Sequence, residues 1–161
     1  MRQMIKYLLI FTLLFSANAF AFEGLVTKVY DGDTIRVINT LGVAEKIRIT
    51  KIDAPELKAF RWGDQPYAQQ AKIALANLCA DQMATVIRKS KDKYGRTIAA
   101  VSCKNTDVTD YMIKNGDAWA YRYSATKALK NLQAAAKAQN IGLWALDTPI
   151  DPIIWRKNGL H

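Results

Sequence analysis

The stretch Gly24-Leu25-Val26-Thr27-Lys28-Val29-Tyr30-Asp31-Gly32-Asp33-Thr34-Ile35-Arg36-Val37-Ile38 decides the fold. Its first seven residues are rich in β-branched and aromatic side chains and run into Asp31-Gly32-Asp33, the pattern of a strand followed by a turn. Thr34 to Ile38 then alternates apolar and polar residues, Asn39 to Gly42 supplies a second turn, and Ala44 to Ile52 resumes with Ile47, Ile49 and Ile52 inward. Three consecutive strands joined by short turns make a meander. Alternation sets Arg48 on the face opposite Ile47 and Ile49, where it meets a ligand rather than the core.

Downstream, Asp53-Ala54-Pro55-Glu56 ends the third strand, because Pro55 restricts the residue before it and removes a backbone donor. Glu56 to Gln65 reads as an irregular loop. Pro66 suits the first turn of a helix over about Tyr67 to Leu78, whose Ala71, Ala74, Leu75 and Leu78 form an apolar stripe. Ala84 to Lys89 and Thr97 to Val101 are two further strands, joined by the basic segment Lys91 to Arg96. Thr106 or Asp107 caps a short helix from about Val108 to Asn115, which Gly116 stops. A third helix covers about Lys127 to Gln139, and the tail holding Pro149, Pro152 and Trp155 reads as packed but irregular. Five short strands with about three helices predict an α+β, mainly β fold: a small Greek-key barrel with helices over its ends. The alternative is an α/β open sheet, against which stand turns too short to hold crossover helices between the first three strands.

Arg2 and Lys6 precede an apolar run from Tyr7 to Phe15 and then small residues at Ala17, Ala19 and Ala21. This is the layout of a signal peptide over residues 1–21, cleaved after Ala19 or Ala21, with one domain over residues 22–161. An uncleaved anchor is the alternative, but the run is shorter than the roughly 20 residues a span requires. The expectation is therefore a protein exported to the periplasm or medium, with no stable membrane insertion after cleavage and a monomer by default. Losing Arg2 and Lys6 takes the formal charge from +9 to +7. Cys79 and Cys103 suit an oxidising compartment, and a disulfide closing that loop would stabilise by roughly 3 kcal/mol; two buried thiols are the other reading.

The chain has one histidine, His161, at its very end, where a catalytic base is poorly held. Histidine-based nucleophile activation and histidine-rich zinc sites are thereby disfavoured. Any catalysis falls to carboxylates and arginines, with a hard, oxygen-seeking cation. Asp31 and Asp33 end one strand; Asp53 and Glu56 end another. Taken singly these are ordinary acidic turns. Together they can converge on one hole that suits calcium, which takes 6–8 oxygens at about 2.3–2.6 Å. In Lys93-Tyr94-Gly95-Arg96 the glycine permits a tight turn, and Arg96 with Arg48 makes a phosphate clamp, since a planar guanidinium binds phosphate bidentately.

In order and spacing, Asp31-Gly32-Asp33-Thr34, Arg48 followed by Asp53-Ala54-Pro55-Glu56, Asp92-Lys93-Tyr94-Gly95-Arg96, Asn115-Gly116 and Ile141-Gly142-Leu143-Trp144 resemble the staphylococcal (micrococcal) nuclease family, or thermonucleases. The resemblance covers about Gly24 to Trp144. It implies a five-stranded OB-type barrel and a calcium-dependent phosphodiesterase that cuts DNA and RNA with little sequence preference and leaves 3′-phosphate ends. It also implies that Asp33, Asp53 and the Ala54 carbonyl hold calcium, with Asp31 as an outer partner. Glu56 would activate water, Arg48 and Arg96 would hold the scissile phosphate, and Lys93, Tyr94, Tyr121 and Tyr123 would form the nucleotide pocket. Ala54 departs from the threonine of founding members, and the loop from Leu57 to Gln65 looks reorganised. Two other functions compete: a non-catalytic OB-type nucleic-acid-binding module, and a calcium-binding structural protein of the envelope. The first leaves the full acidic set unexplained, and the second leaves the arginines unexplained.

Overall fold

Alternation organises the barrel. The computed structural model describes residues 21–57 and 63–158. Strands β1 (Ala21–Val29), β2 (Thr34–Asn39) and β3 (Ala44–Ile49) form the expected antiparallel meander. The register between β1 and β2 slips between Val26 and Lys28, so Val26 and Val29 are both buried although three positions apart. Strands β5 (Met83–Lys91) and β6 (Thr97–Cys103) pair with each other, and β5 also pairs with β1. A parallel pairing of β3 with β6, Ile47 opposite Thr97 and Ile49 opposite Ala99, closes the ring. The result is the five-stranded OB-type barrel, with Ile35, Val37, Ile47, Ile49, Val86 and Val101 inside.

Two short ladders adjust this plan. The third strand was expected to run on to Ile52, but Lys51 takes a left-handed conformation (φ 64°) and turns the chain out of the barrel. Strand β4 (Ile52–Asp53) pairs instead with β8 (Trp119–Ala120), while β7 (Thr106–Asp107) extends the β6 edge. Arg48 holds this turn: its Nη1 donates to the carbonyls of Ile49 (2.9 Å) and Ile52 (3.0 Å). The cause is invisible to alternation alone, because it is a side chain closing around its own backbone.

Helix α1 (Ala68–Cys79) begins after Tyr67, so Pro66 stands just outside it, and it buries Ala71, Leu75 and Leu78 against the barrel. Its last residue, Cys79, forms a disulfide with Cys103 at the end of β6. Helix α2 (Val108–Lys114) is capped by Asp107, whose side chain accepts from the Asp110 amide. Helix α3 (Lys127–Ala138) is capped by Thr126. The predicted glycine motifs meet: a Cβ on Gly116 (φ 68°) would lie 2.2 Å from the Ile141 carbonyl oxygen, and Leu143 donates to the Gly116 carbonyl at the start of a 3₁₀ turn, Gly142–Ala145.

The tail corrects the expectation of irregular structure. Pro152–Asn158 is a fourth helix, α4. Asp151 accepts from the Ile153 amide (2.8 Å), and Pro152 occupies the first helical position, where its missing N–H costs nothing. Residues 1–20, which hold nearly all of the expected signal peptide, lie outside the described residues, as do His161 and residues 58–62 of the loop after Glu56. Strand β1 begins at Ala21, three residues before the expected Gly24, with Ala21 opposite Ile87. No helix among the described residues is long and apolar enough to cross a membrane.

Candidate active site

The Asp31-Gly32-Asp33 turn sits against the Asp53–Glu56 segment because Gly32 has no side chain. A Cβ there would come 2.6 Å from that of Ala54 and 2.8 Å from that of Ala71. At this closeness Asp33 is nearly buried (6 % exposed) and its Oδ2 accepts from the Ala54 amide at 2.8 Å. Its Oδ1 accepts from the Thr34 hydroxyl, and the Asp31 carboxylate accepts from the Asp33 amide. Asp53 is more deeply buried (2 % exposed). Arg48 Nη2 lies 3.1 Å from Asp33 Oδ2 and 2.9 Å from Asp53 Oδ1, so the two aspartates face one guanidinium nitrogen.

Glu56 follows one turn later. Its amide donates to Gln65 Oε1, and Gln65 returns a backbone bond to the Glu56 carbonyl. This clip closes the loop that the sequence left irregular. Gln65 also donates its side-chain amide to the Ile150 carbonyl (2.7 Å), tying the clip to the tail.

From that tail comes a residue the sequence reading missed. Arg156 on α4 donates to both Asp53 oxygens (Nη1–Oδ1 3.1 Å, Nη2–Oδ2 2.8 Å) and to Glu56 Oε1. The local signal for its helix was Asp151-Pro152, a capping residue followed by a helix-starting proline. Nothing short-range could place Arg156 against carboxylates a hundred residues earlier.

Burial dominates the electrostatics. It pushes the Asp33 carboxyl up to about 6, with Arg48 pulling the other way and Asp31 adding to the rise. Burial likewise raises Asp53 and Glu56, opposed in each by the bond from Arg156. Burial disfavours the charges of Arg48 and Arg156, but the carboxylates around each more than offset it and keep both above the ordinary arginine value. Four carboxylates thus share two guanidinium groups, and the excess of negative charge is two. Hard oxygen donors with that excess suit one divalent cation. Among the described residues, however, no three of these side chains stand gathered as a ready cage, and arginines bond Asp33, both Asp53 oxygens and Glu56.

A cleft of about 780 Å³ opens over this group, lined by Asp31, Asp33, Arg48, Glu56 and Arg156 on one side and by Lys93, Tyr94, Arg96 and Tyr121 on the other. Asp53 and Ala54 are buried and stand outside its lining. Arg96 is held by Asp92, which accepts its Nε at 2.7 Å and its amide at 3.0 Å. Its guanidinium lies 5.6 Å from the centre of the Tyr94 ring. Arg48 and Arg96 therefore reach one cavity from opposite strands of the β3–β6 seam. Tyr123 stands outside the lining, exposed, with its ring 5.4 Å from that of Tyr121 and edge-on to it. Lys46 and Lys51 also line the cleft, and neither was singled out in the sequence.

A sequence family described as staphylococcal nuclease homologues matches residues 46–146. The chain belongs to the staphylococcal nuclease family. It is 36 % identical over 151 residues to an uncharacterized endonuclease of Haemophilus influenzae, covering 93 % of this chain and 82 % of the relative. It is 36 % identical over 136 residues to an uncharacterized endonuclease of Escherichia coli, covering 83 % and 84 %. A micrococcal nuclease of Shigella flexneri is 33 % identical over 158 residues, covering 90 % and 87 %. The staphylococcal nuclease match takes in Arg48, Asp53, Glu56 and Arg96 and ends before α4, so Arg156 lies outside it.

Proposed function

We propose that this member of the staphylococcal nuclease family is an exported, calcium-dependent nuclease that hydrolyses phosphodiester bonds of DNA and RNA and leaves 3′-phosphate ends. The observation that carries the reading is the convergence of Asp33, Arg48, Arg96 and Glu56 on one cleft, with Arg48 bonded to both Asp33 and Asp53. Its named relatives are nucleases, and the basic sequence suits a polyanion. The charged start and apolar run of residues 1–21 support export.

Asp33, Asp53 and the Ala54 carbonyl are the groups that would hold calcium, with Asp31 behind Asp33. The ion would supply positive charge beside the scissile phosphate. Glu56, raised above an ordinary carboxylate by burial, accepts a proton from the attacking water. Arg48 and Arg96 hold the non-bridging oxygens and stabilise the charge that builds on phosphorus as its bond to the 5′ oxygen breaks, and that oxygen takes a proton from solvent water to leave as the 5′-hydroxyl. Lys93, Tyr94 and Tyr121 orient the nucleotide, with Tyr123 at the rim.

The test is to incubate the purified mature chain with single- and double-stranded DNA and with RNA, with calcium or a chelator, and to follow fragment size and end chemistry. Calcium-dependent fragments with 3′-phosphates support the reading. Retarded but intact nucleic acid would make the protein a binding module, and no interaction at all would leave only a calcium-binding structural role. Fractionation of cells and medium tests export.

A further inference from the structure

Arg156 engages the acidic group differently from Arg48. The Arg48 side chain is 17 % exposed and is fixed by the Ile49 and Ile52 carbonyls as well as by carboxylates. The Arg156 side chain is 39 % exposed and, among the described residues, bonds to the carboxylates of Asp53 and Glu56. Its helix is seven residues long and stands at the end of the described chain, fastened by the Gln65 bond to the Ile150 carbonyl and the ion pair of Asp151 with Arg122.

Asp53 is also nearly full. Its Oδ1 accepts from both Arg48 and Arg156, and its Oδ2 accepts from Arg156. A carboxylate offers about four lone-pair directions in all. A divalent cation on Asp53 would sit within a few ångströms of the Arg156 guanidinium in a poorly solvated pocket, where like charges repel strongly. One of the two must leave, and the half-exposed Arg156 side chain, with no backbone carbonyl holding it as Ile49 and Ile52 hold Arg48 among the described residues, is the one free to go.

We infer that Arg156 is a built-in counter-ion, an alternative occupant of the Asp53–Glu56 site that a divalent cation displaces on binding. This rests on the metal-dependent reading proposed above. In the cation-free protein Arg156 offsets the mutual repulsion of Asp33, Asp53 and Glu56; with the cation in place that task passes to the metal, and the guanidinium moves to the open cleft. Linkage then requires that removing the side chain strengthen cation binding.

The experiment is calorimetric titration of calcium into the full mature chain, wild type against Arg156→Gln and Arg156→Lys, with far-ultraviolet circular dichroism to confirm the fold. Arg156→Gln binds calcium at least ten-fold more tightly, and its melting temperature rises more than that of wild type on saturation. Arg156→Lys, which keeps the charge and loses the fork, lies between and keeps the comparison open if the glutamine variant does not fold. In wild type, the Arg156 Nε–H resonance shifts and loses protection from exchange when calcium is added. Equal or weaker calcium binding by Arg156→Gln, or an Arg156 resonance that ignores bound calcium, overturns the inference and leaves the nuclease reading standing. If no form of the protein binds calcium, both fall together.

Discussion

Gly32 and Glu56 each act through what surrounds them. At Gly32 an added methyl would collide with Ala54 and Ala71, so Gly32→Ala must separate the two acidic turns. The expected outcome is a fall in melting temperature together with weaker cation binding, read by thermal unfolding with and without calcium. Glu56→Gln keeps the shape of the side chain and removes the proton acceptor. It is expected to lower single-turnover cleavage by about 10²- to 10⁴-fold while oligonucleotide binding changes little; unimpaired cleavage would free Glu56 of its assigned role. Asp117 offers a pH test away from the site. It is buried, accepts from the Tyr67 hydroxyl at 3.0 Å, and burial pushes its carboxyl up to about 6 against the Tyr67 bond. Unfolded, it titrates near the usual 3.8, so between about pH 4 and pH 6 the folded protein retains a proton that the unfolded chain has lost. Stability therefore falls as pH rises through that window and levels off above it. Asp117→Asn keeps an acceptor for Tyr67 and removes this loss, gaining up to about 3 kcal/mol on wild type across the window, measured as urea midpoints from pH 4 to pH 7.

Among the elements, the covalent tie from α1 to β6 gives the clearest stability test. Replacing Cys79 and Cys103 with alanine together is expected to cost about 3 kcal/mol, with the cleft intact and cleavage near wild type under conditions where the protein stays folded. Gly116→Ala should be at least as damaging, since a left-handed backbone and the Ile141 carbonyl both exclude a side chain there. The five barrel strands and the first three helices were legible because each follows from a period of two or 3.6 with local turn and capping residues. The break at Lys51 and the placement of α4 were not, because Arg48 and Arg156 cause them by reaching carbonyls and carboxylates that pattern analysis does not relate. The site divided in the same way. Asp33, Asp53 and Glu56 were readable from acidic turns at strand ends and Arg48 from the alternation of its strand, whereas Arg156, which touches two of the acidic groups, lay in a segment read as irregular. Tyr123 was placed with the nucleotide pocket by the family resemblance, but stands exposed outside the cleft lining.

At the scale of the whole molecule, the positive charge governs encounter with a polyanion. Binding of a single-stranded oligonucleotide by the Glu56→Gln protein should weaken linearly with log salt, by about 0.7 per phosphate contacted. Lys93→Ala is expected to remove roughly one such contact, measured by fluorescence anisotropy across salt concentrations, with little dependence on base sequence. The seam that closes the barrel has a consequence of its own. Arg48 belongs to β3, Arg96 immediately precedes β6, and these two strands meet through the parallel pairing of segments some fifty residues apart, with the Thr97 hydroxyl donating to Glu45 across the seam. Local hairpins form early and distant parallel pairings late. A chain in which this seam is unzipped therefore holds every reactive group yet keeps its two guanidinium arms apart, and only the closed ring brings them to the same mouth.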